Sequence, residues 1–349
     1  MDLHLRKPTD IRPHRDNGFF GPGSVTWKVW SYPTSVVLGF LRSVVIEELD
    51  PFLVASVAHS GQVKQRTQLR YDRTMQYFAT VKFGDAQSVL KAAETLAKIH
   101  GRSVGPEPVT GGQFDANDPD SQLWIHLTAW HSILYTYEVF GPGKLSAARE
   151  AQYWRECAIA AHFQTIDPAT VPLTRDGVAA YFEAYRPRLV GSDVAKDMMN
   201  FLLDATSRFL DGVVPNLVAK PISAVIRRAV IATFPAWMRE LSGLEQSRAV
   251  DLAVTAQVKV VVKALSLNRR LQLAVLAKFS PLTVPIVAPI MFEVPATDPK
   301  VWSPQEAYAH FAVPTPREQY AAMLAARATG HGPAPYDQHH HDPIVDFPG

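Results

Sequence analysis

The amino-acid sequence predicts an all-α protein, and three observations support this class. Apolar residues recur at intervals of three and four over much of the chain between residues 88 and 265, which is typical of amphipathic helices. Alternating apolar and polar runs, which would indicate strands, are few. Of the 27 prolines, 12 lie between Pro281 and Pro348, so the regular helical part ends near residue 280. We expect an N-terminal segment (1–17), a single large helical domain (18–280) and a Pro-rich, extended C-terminal arm (281–349).

Start and stop signals refine the predicted helices. Asp118 and Pro119 combine an N-cap carboxylate with a first-turn proline, and the Gly-Pro-Gly at 141–143 is a strong stop signal. The predicted helices of the domain cover residues 88–104, 118–140, 147–163, 175–185, 193–210, 221–241 and 246–265. In the C-terminal arm, we expect helices at 304–311 and 316–329.

Two further segments of the C-terminal arm can be interpreted in more than one way. The stretch 280–292 is apolar and contains three prolines. It fits a buried connector, a partner contact or a shallow membrane contact, and the buried connector is favoured. His339, His340 and His341 form a run that could bind a metal, although such binding on a terminal tail is more often adventitious.

Composition excludes several functional classes. The 349 residues include 35 Lys and Arg against 33 Asp and Glu, a formal charge of +2. With no basic cluster interleaved with aromatic residues, we expect no nucleic-acid partner. The one cysteine, Cys157, excludes an internal disulfide and a cysteine-based zinc site, and suits a reducing, cytoplasmic setting. The charged N-terminus argues against a signal peptide, and the absence of a charge-free stretch of about 18 residues argues against a transmembrane helix.

The histidine at position 100 lies on an apolar helix face. Five residues share one face of a helix over 88–104: Val89, Ala93, Leu96, His100 and Val104. An imidazole buried on that face requires a hydrogen-bond partner or a ligand, and a satisfied core histidine is the commoner outcome for such a residue taken alone. Gly101 costs a helix about 1 kcal/mol relative to alanine, which indicates that another group approaches the backbone closely there.

An arginine and a threonine upstream form a second candidate cluster. Arg70 and Thr74 are four residues apart and share a helix face, which Tyr77, Phe78 and Val81 extend with apolar bulk. An arginine in such surroundings needs an anionic partner, for example a carboxylate, a phosphate or a propionate. An ordinary interhelix ion pair explains this arginine equally well.

The remaining histidine and cysteine candidates are weaker. His126 shares a helix face with Trp130 and Tyr137, and it is interpreted either as a support for another ligand or as a core histidine. His131 is five residues away, too far round the helix to share a metal with His126, and no metalloprotease HExxH pattern occurs. Cys157 lies in a helical segment rather than a glycine-rich loop, so we interpret it as a small core residue and not as a haem thiolate.

Five short motifs in a consistent order carry a resemblance to a known family. They are Arg70 with Thr74, Phe83-Gly84-Asp85, His100 with Val104, Asp118-Pro119, and Trp124-Ile125-His126. This pattern resembles the DUF2236 family, to which the MpaB-type oxygenase of the mycophenolic acid pathway and the latex-clearing rubber oxygenases belong. The resemblance extends over residues 18–265.

The resemblance implies a loosely globin-like helical protein that binds haem b. The residue that matches the proximal iron ligand of the family is His100. Arg70 and Thr74 match haem-pocket residues that would neutralise a propionate and donate to bound oxygen. Arg73 stands where the rubber oxygenases have an iron-capping lysine, and a guanidinium is a poor iron ligand because it stays protonated. Val104 and His126 are included among the expected cofactor-binding residues.

The implied activity is haem-dependent oxidation or cleavage of an apolar, isoprenoid or lipid-like substrate by dioxygen, with Arg70 and Thr74 as the expected catalytic residues. The motifs identify no counterpart for the glutamate base of the rubber enzymes. Two alternatives are a non-catalytic haem protein that senses gas and a haem-free helical scaffold. We expect a cytoplasmic protein, with peripheral membrane contact as an option, and the sequence leaves the oligomeric state open.

Overall fold

The structure is a computed structural model that describes residues 11–210 and 215–333. Within these ranges it consists of α-helices and one small hairpin, which confirms the all-α class. The helices of the first half are α1 (Val25–Trp30), α2 (Phe40–Glu47), α3 (Pro51–Ser60), α4 (Gln62–Gln65), α5 (Thr67–Phe83), α6 (Ala86–His100), α7 (Pro119–Phe140) and α8 (Ala147–Ala161). The helices of the second half are α9 (Arg175–Tyr185), α10 (Asp193–Leu210), α11 (Asn216–Ala232), α12 (Ala236–Ser242), α13 (Arg248–Ser266), α14 (Arg269–Phe279), α15 (Val284–Met291), α16 (Pro304–Phe311) and α17 (Pro316–Ala328).

Helix α7 runs through the centre of the core and has the predicted ends. The Asp118 carboxylate accepts a hydrogen bond from the backbone N–H of Ser121, and Pro119 occupies the first turn. The helix ends at Phe140, before Gly141. Leu127 and Trp130 are fully buried, and burying a side chain of this size contributes roughly 2 kcal/mol.

A π-helix at Ser35–Gly39 leads directly into α2 and brings it close to α7. A Cβ atom at Gly39 would lie 2.7 Å from Ile133 Cδ1 and 2.8 Å from Thr136 Oγ1. The glycine therefore permits the close packing of the two helices. Single π-turns of this kind are frequent near functional sites.

Helix α6 ends four residues earlier than predicted. After His100 the chain turns and forms β1 (Val104–Glu107), which pairs antiparallel with β2 (Gly112–Asp115). Val104 lies opposite Asp115 in this hairpin, so its placement on the helix face of His100 was wrong. Pro106 explains the change, because the residue before a proline is disfavoured in helical conformation and the proline itself lacks an N–H.

The predicted helix 221–241 is also interrupted. It is replaced by α11 and α12, with Thr233 to Pro235 between them. Pro235 precedes the first residue of α12 and cannot donate the hydrogen bond that a continuous helix requires. The ends of the other predicted helices lie within two residues of the observed ends.

The segment after residue 280 packs on the helical body. Val287 and Met291 of α15 and Ala307 of α16 belong to the main core cluster. The Asp72 carboxylate of α5 accepts hydrogen bonds from the Ser280 hydroxyl (2.7 Å) and the Leu282 N–H (3.1 Å). The apolar stretch therefore forms a short 3₁₀ turn and helix α15, with a buried face, as the connector interpretation expects. His339, His340 and His341 lie outside the described residues.

None of the helices in the described ranges combines the length and the apolar character that crossing a membrane would require.

Candidate active site

A cavity of about 320 Å³ lies between α2, α3, α5, α6, α7 and α10. Most of its wall consists of apolar side chains such as Phe40, Ile99 and Phe209. The ionisable and amide side chains that line it include Glu47, Glu48, Arg70, Arg73, His100 and Gln122. Thr74 also lines the cavity. Four of the six predicted site residues are therefore brought together here, whereas Val104 and His126 do not line the cavity.

Helix α6 begins at a defined N-cap and ends at His100, which places this histidine in the wall of the cavity. The helix begins at Asp85, whose carboxylate accepts a hydrogen bond from the Ser88 N–H, so the Phe83-Gly84-Asp85 motif provides an N-cap. His100 is the last residue of the helix, and its Nδ1 lies 3.1 Å from the side-chain nitrogen of Gln122. Burial, together with the charge of Arg70, lowers the pKa of His100 to about 4. The imidazole is therefore neutral at neutral pH.

A chain of hydrogen bonds connects His100 to His126. The Gln164 side-chain amide donates to Gln122 Oε1 (2.9 Å), and Gln164 Oε1 lies 2.7 Å from His126 Nδ1. The other ring nitrogen, Nε2, lies 2.9 Å from the backbone carbonyl of Cys157. His126 is 1 % exposed, and both of its nitrogens have partners. It is a core histidine that supports the Gln122 and Gln164 side chains.

Two adjacent glutamates on the part of the cavity wall that α2 and its C-terminal end provide were missed by the sequence motifs. Burial is the main reason that the pKa of Glu47 rises to about 7 and that of Glu48 to about 8, and the Glu47 charge raises the latter further. The Ser43 hydroxyl donates to Glu47, whereas Oε2 of Glu48 is buried without a hydrogen-bond partner among the described residues. Two consecutive acids at the end of an apolar run, Val44 to Ile46, were the available signal.

Three residues of α5, Arg70, Arg73 and Thr74, also line the cavity. The positive charge of Arg70 lowers the pKa of both His100 and Glu48, so the guanidinium acts on both walls. Arg70 is exposed and Arg73 is partly buried, which places positive charge at the rim of the cavity. The Thr74 hydroxyl donates to the Arg70 carbonyl (2.8 Å), so its proton is used within the helix and its lone pairs remain to accept a hydrogen bond.

These residues lie within a segment that matches a known domain. The family model of the ER-bound oxygenase mpaB/B'/rubber oxygenase catalytic domain matches residues 27–265. The chain belongs to this family. No curated protein and no solved structure matches it. Family membership supports an oxygenase, and thus an enzyme, that uses a small-molecule substrate and dioxygen.

The turn after His100 is covered by α17, which lies outside the residues that the oxygenase family model matches. A Cβ atom at Gly101 would lie 2.6 Å from Met323 Sδ and 3.3 Å from the Ala97 carbonyl oxygen. The group that approaches the Gly101 backbone is therefore a neighbouring helix. A larger side chain at this position would have to displace the Met323 side chain.

Polar contacts add to this packing. Arg327 donates to an Asp115 carboxylate oxygen (2.5 Å) and to the Gly101 carbonyl (2.8 Å), and the Tyr320 hydroxyl donates to Asp115 (3.2 Å). We call Tyr320, Met323 and Arg327 the C-terminal clamp of the oxygenase domain. The clamp joins α17 to Gly101 and to Asp115, on both sides of the hairpin that follows His100.

Proposed function

We propose that this oxygenase binds haem b, with His100 as the axial ligand of the iron, and oxidises an apolar small molecule with dioxygen. The observation that carries the proposal is a neutral imidazole, held through Nδ1, in the wall of a largely apolar cavity. A substrate of isoprenoid or lipid-like character is what the family resemblance and these walls favour.

The residues of the cavity fit a haem. The His100 ring has two supporting groups, the Gln122 amide nitrogen 3.1 Å from Nδ1 and the Ala116 carbonyl as a backbone hydrogen-bond partner. A neutral imidazole binds iron through one nitrogen while the other donates to a supporting group such as a carbonyl. Arg70 and Arg73 provide positive charge suited to the haem propionates. The described residues contain no group of three His, Cys, Asp or Glu side chains arranged for a metal ion, but a haem iron needs only one protein ligand.

Haem supplies the oxygen chemistry when it is bound, and the protein contributes orientation, a dry pocket and protons. The Gln122 side chain, whose nitrogen lies 3.1 Å from Nδ1, and the Ala116 carbonyl both contact the His100 ring and restrict its orientation. The apolar walls exclude water and bind the substrate. Glu48 keeps its carboxyl proton at neutral pH because its pKa is about 8, so it can exchange a proton with the substrate. We assign Arg70 to the binding of an anionic group. Because the Thr74 proton is donated to the Arg70 carbonyl, we assign Thr74 to accepting a hydrogen bond from a hydroxyl group at the cavity rather than to donating one to bound oxygen.

The proposal is tested by measuring haem in purified protein, by absorption spectroscopy and a pyridine haemochrome assay. Wild-type protein is expected to show a Soret band, and His100→Ala is expected to lose it. His162→Ala, which removes a half-buried histidine outside the cavity, should retain wild-type haem content. Arg70→Ala and Thr74→Ala should retain haem and lose oxygenase activity. Full haem loading with an unchanged spectrum in His100→Ala, or no haem uptake by the folded wild type, would contradict the proposal.

A further inference from the structure

Three neighbouring helices, α11, α13 and α14, carry an exposed apolar surface. Of the fourteen exposed large apolar side chains in the described ranges, nine lie between residues 217 and 282. Leu217 is 87 % exposed, Leu267 is 76 % exposed and Val260 is 70 % exposed. Helix α13 packs against both α11 and α14. Single exposed apolar residues need no explanation, but such a concentration on adjacent helices indicates a binding surface.

The same helices are strongly basic. Together α11, α13 and α14 contain nine Lys and Arg and one acidic residue, Asp251, although the whole chain is nearly neutral. Asp251 is paired with Arg239 of α12. Arg227 and Arg269 form ion pairs, whereas the other seven cations have no ion pair with a described residue.

Charged and apolar residues are interleaved on one side of α13. Leu252, Lys259, Val260, Lys263 and Leu267 are spaced so that they share a helical face, and each of these side chains is exposed. We call Leu217, Lys259, Val260, Lys263, Leu267 and Arg270 the basic apolar face.

We propose that the basic apolar face binds the surface of an anionic lipid bilayer. Aliphatic side chains beside lysines and arginines suit the boundary between lipid headgroups and acyl chains, where the apolar groups are buried and the cations contact phosphates. A second copy of this chain is a poor occupant, because two basic faces repel each other. A nucleic acid would use the cations but would leave the aliphatic side chains exposed to water.

A second, smaller apolar cavity gives a functional reason for binding a bilayer at the basic apolar face. The cavity, of about 70 Å³, is lined by Leu265, Gln272 and Val275 from the α13–α14 corner, and also by Phe40 and Phe78. Both phenylalanines line the larger cavity of His100 as well. The small cavity therefore lies between the α13–α14 corner and the His100 cavity, on the side from which a lipid-like substrate would enter. Binding to lipid does not depend on the proposed haem chemistry, so the two proposals can fail separately.

The test is flotation of the full chain with vesicles of phosphatidylcholine alone or mixed with phosphatidylglycerol. We expect binding only to the anionic vesicles, with a loss at high salt. Each lysine near an anionic surface contributes about 1 kcal/mol, so the double variant Lys259→Gln/Lys263→Gln should bind on the order of 30-fold more weakly. Leu267→Glu should also reduce binding. Matched controls on other helices and loops, Lys91→Gln/Lys144→Gln and Leu173→Glu, should bind as the wild type does.

Three outcomes would overturn the proposal. They are no binding to anionic vesicles, equal binding to neutral and anionic vesicles, and binding that the Lys259 and Lys263 substitutions leave unchanged. A dimer in lipid-free solution that Leu267→Glu converts to a monomer would assign the face to self-association instead. Circular dichroism and thermal unfolding of each variant separate these results from a loss of folding.

Discussion

The two walls of the large cavity hold their polar side chains in different ways. On the histidine wall, His100 is linked through Gln122 and Gln164 to the core, and the C-terminal clamp covers the following turn. On the acidic wall, Glu47 has the Ser43 hydroxyl as a partner, but one buried oxygen of Glu48 has no partner among the described residues. The same burial lowers the histidine pKa and raises the glutamate pKa values.

This difference relates structure to chemical role. A metal ligand must keep one orientation, which a network of hydrogen bonds and a packed turn provide. A proton-exchanging group needs a pKa near the working pH, which burial without full hydrogen bonding provides for a carboxyl group. Under the proposed function, the histidine wall fixes the orientation of a ligand and the acidic wall provides a carboxyl group that can exchange protons.

The largest expected effect in the apoprotein comes from Glu48. In the unfolded chain this carboxyl group loses its proton near pH 4.5, whereas in the folded chain its pKa is about 8. Between about pH 4.5 and pH 8 only the folded state keeps the proton, so the free energy of unfolding falls as the pH rises through this window. Glu48→Gln should make this decline shallower, leaving the part that is due to Glu47, and raise the free energy of unfolding at the upper end by on the order of 3 kcal/mol. Urea unfolding at several pH values measures it. The exposed control Glu245→Gln should keep the wild-type slope, and an unchanged slope in Glu48→Gln would refute the assignment.

A smaller effect is expected from filling the space beside the histidine turn. Gly101→Val places atoms where Met323 Sδ lies, and overpacking of this kind costs roughly 1–3 kcal/mol. Met323→Ala in the same chain should restore part of this loss, which a double-mutant cycle of unfolding free energies measures. If the two losses of unfolding free energy are simply additive, the contact between α17 and the His100 turn does not cause the destabilisation of Gly101→Val.

The smallest effect is expected for the ion pair of the clamp. Arg327→Ala removes the contacts to Asp115 and to the Gly101 carbonyl, and the partly buried pair should contribute about 1 kcal/mol. Arg317→Ala breaks a more exposed pair with Asp167 and should cost less than about 0.5 kcal/mol. Equal losses in the two variants would show that the clamp is no stronger than an ordinary surface pair.

Local signals predicted much of this arrangement. Capping residues and periodicity located α7 and α9 almost to the residue, because these signals act between neighbours in the chain. The same reasoning failed at Val104 and Pro235, where prolines interrupt an otherwise helical pattern. It also left open the helix α15, since a run with three prolines is a poor helix signal and tertiary packing stabilises it.

The sequence by itself determined the all-α class, the position of His100 on an apolar helix face and the family pattern of Arg70 and Thr74, because each depends on residues a few positions apart. Only the tertiary structure decided that Glu47 and Glu48 share a cavity with His100, that Gln122 contacts its ring and that Met323 is the group beside Gly101. These contacts join residues from about 20 to more than 200 positions apart, and many long-range contacts acting together select such pairings.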